Sequence, residues 1–147
     1  AKAFKNAFDI VSGDREKARE AVKRNEEQIR AFDSQLASSV GDNSVDRLGI
    51  WVQYLKWYQA SLPFQAAVSK DGLVRLLERC TNDLMESGVD KMKLKSDQRF
   101  LRIWIQYADM VKDPSDVFRF LQVHGIGQEF ALFYEAFALF LEKRGAH

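Results

Sequence analysis

A heptapeptide occurs twice in this chain, and no other feature limits the possible folds as strongly. Leu48-Gly49-Ile50-Trp51-Val52-Gln53-Tyr54 returns as Leu101-Arg102-Ile103-Trp104-Ile105-Gln106-Tyr107, with five positions identical and Val exchanged for Ile at a sixth. Self-similarity of this kind marks supersecondary units that bury their apolar faces on one another. Stacked units present a surface to a partner far more readily than they house a reaction.

The rest of the chain reads as helix. Between about residues 14 and 39, Ala18, Val22, Ile29, Phe32 and Leu36 recur at steps of three, four and seven, one apolar stripe on a charged helix. Ser12 and Asp14 are candidate caps at its start. Phe4, Phe8, Ile10 and Val11 ahead of it are apolar enough to dock. Gly41-Asp42-Asn43-Ser44 breaks the pattern as turn residues do. A second helix spans about 46–61 and stops at Leu62-Pro63; after a loop over 64–68, a third carries Leu73, Leu76, Leu77, Cys80 and Leu84. Residues 90–95 read as basic and irregular. Ser96 or Asp97 starts the fourth helix, and Asp113-Pro114-Ser115-Asp116 the fifth, which ends at His124-Gly125. Gly127 opens a sixth, apolar nearly all round over 130–141 and closed by Gly145, so it needs cover from a further helix or a partner.

Paired helices with short turns fit the tetratricopeptide (TPR) class, whose first helix follows Trp-x2-Leu-Gly-x2-Tyr. Trp51, Tyr54, Leu55 and Tyr58 fall on that frame, as do Trp104, Tyr107, Ala108 and Val111, and more weakly Tyr134, Phe137, Ala138 and Leu141. The expected fold is therefore all-α: a right-handed superhelical array of degenerate TPR helix pairs with an extra N-terminal helix. Residues 1–40 form the amphipathic extension and 41–147 the TPR-like domain, cut short inside its third unit. Trp51, Trp104 and Phe137 read as core.

Reactive constellations are missing. His124 and His147 are far apart, with no Cys or carboxylate at ligand spacing, so no metal is expected. His124 reads as a partner of a helix C-terminus, and Cys80, on an apolar stripe, as a small core residue. Gly125-Ile126-Gly127 lacks the strand and third glycine of a nucleotide loop and reads as an inter-helix turn. No catalytic residue and no cofactor is expected. With 22 basic and 21 acidic residues interleaved, net charge +1, the chain has no general attraction for nucleic acid or an anionic membrane. The cluster Lys91, Lys93, Lys95, Arg99 and Arg102 reads as a solvated loop. A lone cysteine excludes an internal disulfide, and no apolar run approaches the roughly 18 residues of a membrane span.

From residue 40 onward the sequence resembles the N-terminal domain of the Bub and Mad spindle-checkpoint proteins. The match is carried by Asp97-Gln98-Arg99-Phe100-Leu101, Trp104, Asp113-Pro114 and His124-Gly125-Ile126-Gly127, where the family has an Asp-Pro-Arg-Phe helix start and a Gly-Ile-Gly turn. Trp51, Tyr54, Trp57, Leu62-Pro63, Leu76-Leu77-Glu78-Arg79, Phe133-Tyr134 and Phe137 continue it. The resemblance implies a non-enzymatic module that binds a short amphipathic helical motif of the blinkin kinetochore scaffold, with other checkpoint proteins as further partners. It also implies a location in nucleus and cytoplasm and at the mitotic kinetochore. A serine/threonine kinase domain follows in one branch of the family. The positions it implies for peptide binding are Ile105, Tyr107 and Met110 on the fourth helix, Val117 on the fifth and Arg144 after the sixth. Phe140 stands where the family has an acidic residue, which removes a charge from that contact. Lys5-Asn6 lies near the place of the Mad-type Lys-Glu-Asn box but lacks its Glu, which favours the kinase branch. Two alternatives remain at this stage: a half-a-TPR scaffold for RNA processing, against which the charge balance speaks, and a purely structural or dimerising helical domain.

Overall fold

The computed structural model describes the backbone of residues 2–61 and 66–145, and side chains within these except 2–11 and 66–69. Seven helices and no strand occur among the described residues: α1 (Lys2–Ser38), α2 (Arg47–Ser61), α3 (Ala66–Glu86), α4 (Lys91–Lys95), α5 (Gln98–Met110), α6 (Ser115–His124) and α7 (Ala131–Gly145). The chain divides into two units, residues 1–38 and 39–147.

The first unit is α1 alone. It already runs at Lys2, so Ser12 and Asp14 lie inside it instead of capping it. Only Gly13 offers a break before residue 38, and a single glycine weakens a helix without ending it. Of the apolar stripe, Phe32 and Leu36 are buried, Ile29 is half-buried, and Ala18 and Val22 are exposed. The side chains of Phe4, Phe8, Ile10 and Val11 lie outside those described, as do Leu62 and Pro63 at the end of α2.

In the second unit α5 is the hub, packing on α2, α3, α4, α6 and α7. Its buried residues Phe100, Leu101, Ile103, Trp104 and Ala108 explain why: they occupy more than one stripe, so several sides of the helix need cover. The two repeat helices start alike. Asp46 accepts from the Gly49 amide (3.0 Å) and Asp97 from the Arg99 amide (2.9 Å). Arg99 then joins the two caps, 2.9 Å from each carboxylate. Its guanidinium holds both Asp46 and Asp97 below the usual carboxylate range.

The two repeated tryptophans are both core, yet their indole nitrogens are placed differently. Trp51 is 1% exposed and donates from Nε1 to Asp83 Oδ2 at 2.8 Å. Arg47, itself buried, forks onto the same carboxylate at 2.7 and 2.8 Å and reaches Ser39 Oγ at 2.9 Å. Tyr54 stacks on the Trp51 ring at 5.5 Å, and the Arg79 guanidinium lies over it at 5.3 Å. Trp104 instead packs on Phe120 of α6 at 4.9 Å, and its buried Nε1 has no hydrogen-bond partner among the described residues. Cys80 lies wholly buried on α3, where burial, and then the Asp83 charge, push its thiol pKa up.

Several boundaries depart from the sequence reading. α3 begins at Ala66, inside the loop assigned to 64–68, and residues 91–95 form α4 instead of irregular chain. Asp90 makes that short helix possible by accepting the Met92 amide at 3.0 Å. α6 closes on Gly125 (φ 68°), with the Ile126 amide bonded to Leu121 O at 2.8 Å. Gly127 (φ 68°) then bonds Lys95 O at 2.9 Å, so the chain turns through residues 127–130 and α7 starts only at Ala131. On α7 Phe133 is buried and Phe137, expected in the core, is only half-buried. Tyr134, Leu139 and Leu141 are 54, 53 and 48% exposed. The helix is thus apolar all round, as its sequence reads, but covered on one side.

Candidate peptide-binding surface

Two grooves flank α5. The first, about 430 Å³, lies between α5, α6 and α7 and is predominantly apolar, lined among others by Ile105, Ala108, Phe118, Ala136, Leu139 and Phe140. Its floor is aromatic: Phe118 packs on Phe137 and Phe140, each at 5.3 Å. Asp109, Glu135 and Lys143 supply its charged lining. Arg144 is exposed on α7 and, behind the hydrogen bonds from Ser115, lowers the pKa of Asp113.

The second groove, about 370 Å³, lies between α3, α5 and α6 and mixes aromatic with acidic side chains: Glu78, Asn82, Trp104, Tyr107, Asp116 and Phe120. Tyr107 donates to Glu78 Oε1 at 3.1 Å, and burial followed by that bond raises the phenol pKa.

The five positions implied by resemblance do not form one patch. Successive helical residues turn by about 100°, so Ile105 and Tyr107 differ by roughly 200° and open on opposite sides of α5. Ile105 lines the apolar groove and Tyr107 the acidic one, while Arg144 lines neither. Val117 shares the acidic groove but is only 8% exposed, so packing dominates what it does. Met110 is half-buried and lines neither groove. Phe140 is an apolar member of the first groove, so the charge the family carries there is replaced by ring surface.

Sequence reasoning missed Leu132, Ala136 and Leu139 as groove residues. The signal was present: 132, 136, 139, 140 and 143 step by four, three, one and three, a second stripe beside the Phe133–Phe137 core stripe. Glu78, Asp116 and Phe120 carried no local signal, since they meet from two different helices. No group of residues suited to hold a metal occurs among the described residues, and no described helix is long and apolar enough to cross a membrane.

Residues 27–147 match the sequence profile of the family described as Mad3/BUB1 homology region 1. The chain is 42% identical over 100 residues to the mitotic spindle checkpoint component mad3 of Schizosaccharomyces pombe, covering 68% of this chain and 31% of that protein. The chain thus spans about a third of that relative. It superposes on a chain of the crystal structure of the mitotic checkpoint complex with a TM-score of 0.70 and 36% identity, covering 86% of this chain and 61% of that one. For the conserved N-terminal domain of the mitotic checkpoint component BUB1 the TM-score is 0.73, with 85% and 65% covered; the 24% identity there speaks to fold alone. This region is a helical interaction domain and not a catalytic one. Since the profile match takes in 121 residues, from α1 through the Gly-Ile-Gly turn and all of α7, the chain belongs to the Mad3/BUB1 family of spindle checkpoint proteins.

Proposed function

We propose that this domain binds a short amphipathic helical motif of a blinkin-type kinetochore scaffold in the groove between α5, α6 and α7, and so brings its protein to the mitotic kinetochore. The observation that carries the reading is the apolar groove itself: Leu139 stands 53% exposed beside Ile105 over a floor of phenylalanines, a surface suited to the apolar face of a helix. Lys143 in the lining, with Arg144 next to it on α7, offers a cation for a carboxylate on the incoming helix. Partnership with other checkpoint proteins is supported by the 36% identity to a chain of the mitotic checkpoint complex. The 42% identity to mad3 favours the Mad branch over the kinase branch. Residence in nucleus and cytoplasm outside mitosis belongs to the same proposal.

Calorimetric titration with a peptide carrying the scaffold's helical motif tests it. Ile105→Asp with Leu139→Asp should weaken binding about 100-fold or more, since central apolar anchors each contribute about 2 kcal/mol or more. Tyr107→Ala with Met110→Ala, outside the groove, should leave it within a few-fold. The reverse pattern, in variants that melt normally, would move the motif to the other side of α5. No binding by the parent domain would sink the proposal.

A further inference from the structure

The α7 wall of the apolar groove carries opposite charges toward its two ends. Leu132, Glu135, Ala136, Leu139, Phe140 and Lys143 line it. At 1.5 Å per residue, Leu132 to Lys143 spans about 17 Å, three turns of helix, and Glu135 stands about 12 Å from Lys143 along the axis. Both are exposed, as is Asp109 on the α5 wall. None of these three charges pairs with another described residue. Along α7 an incoming helix therefore meets two free charges of opposite sign in a fixed order.

We propose, resting on the helical-motif reading of this groove, that the bound helix runs antiparallel to α7, with a carboxylate in its first turn over Lys143 and a cation in its last turn over Glu135. The dipole of a helix is positive at its N-terminus, so acidic side chains suit its first turn and basic ones its last. A helix charged in that way meets opposite charges at both ends only if its first turn lies at Lys143. The same direction sets its carbonyl end beside the amide end of α7, where a parallel helix would bring like ends together. Eight residues separate Glu135 from Lys143, so the two charged turns of the partner stand about eight residues apart.

The test uses two blocked peptides that keep the apolar positions of the scaffold's motif and differ only in charge order: Glu in the first turn and Lys in the last, or the exchange. Each is titrated by calorimetry into the parent domain and into Glu135→Lys with Lys143→Glu. The ratio of the two affinities should change at least tenfold between the domains, toward the acid-first peptide in the parent, and the change should shrink in 1 M salt. Peptide helicity cancels from that comparison, as does Asp109, which both domains retain. Should the exchanged domain melt lower, Glu135→Gln with Lys143→Gln serves instead and should shift the ratio in the same direction. A nitroxide on the first residue of the acid-first peptide should broaden the Lys143 amide signal more than that of Glu135. A ratio that ignores the exchange, or the reverse broadening, would overturn the orientation while the groove stands. No binding by either peptide or by the unaltered motif would remove the helical-motif reading and the orientation with it.

Discussion

Asp83→Ala should remove about 3 kcal/mol of stability, the largest loss expected from any single polar side chain in the domain. Asp83 accepts from Arg47 by two bonds and from Trp51 by a third. The Arg47 side chain is 9% exposed and that of Asp83 26%, so the truncation takes the carboxylate from a nearly dry guanidinium, which keeps Ser39 Oγ, and the acceptor from the Trp51 indole. Breaking a buried pair from one side costs about 3–5 kcal/mol, where an exposed pair would cost about 1 or less. Against the 5–15 kcal/mol of a typical domain such a loss is severe. Urea unfolding checks it: with a slope near 2 kcal/mol per molar, the midpoint should fall by about 1.5 M at unchanged slope. Arg47→Met with Asp83→Leu should regain much of the loss, because it leaves neither charge behind. A midpoint shift under about 0.3 M for Asp83→Ala would show that water compensates the pair.

The same carboxylate fixes a pH dependence. Burial pushes the Asp83 pKa up, but the bonds from Arg47 and Trp51 outweigh it, and the folded value lies below the ordinary one of about 3.9. A group depressed in the folded state stabilises fully above its unfolded pKa and loses that contribution as pH falls through its folded pKa. The gap between parent and Asp83→Ala should therefore be constant near neutrality and narrow below about pH 4.

Gly127→Ala is the second large effect, expected at about 3 kcal/mol. Two penalties coincide there. The left-handed φ of 68° costs an L side chain about 1–2 kcal/mol. A methyl group at that position would also stand 2.6–2.9 Å from three atoms of the fully buried Leu101 side chain, and overpacking of a core costs about 1–3 kcal/mol. Gly125 separates the two terms, since it has the same φ of 68° and nothing within 4 Å. Gly125→Ala should thus cost only about 1–2 kcal/mol. Equal melting shifts for the two variants would mean that Leu101 yields freely and that backbone conformation is the whole cost.

These glycines show what was readable in advance. The Gly125-Ile126-Gly127 turn was legible because local chemistry sets it: two left-handed residues around an isoleucine that is fully buried. The repeated Trp frame was legible for the same reason, and so was α5, whose cap and stripe are both local. α4 was not, because five residues give little periodicity and Asp90 was not counted as a cap. The start of α1 was missed because Ser12 and Asp14 are good caps that a continuing helix simply leaves unused. The site was legible only residue by residue. Ile105 and Tyr107 carry the right chemistry, but a list of positions does not hold the 200° turn between them; α3, α6 and α7 must be placed before either residue has a groove.

Cys80 gives the domain a built-in clock. It is the chain's sole thiol, it is wholly buried, and its raised pKa leaves almost no reactive thiolate in the native state. An alkylating reagent must therefore wait until α3 lifts off its neighbours, and where reclosing outpaces reaction the labelling rate reads the open fraction directly. A loss of 3 kcal/mol corresponds to labelling about 150 times faster, so one reagent and a mass spectrometer can rank the stability of every variant without denaturant or added probe.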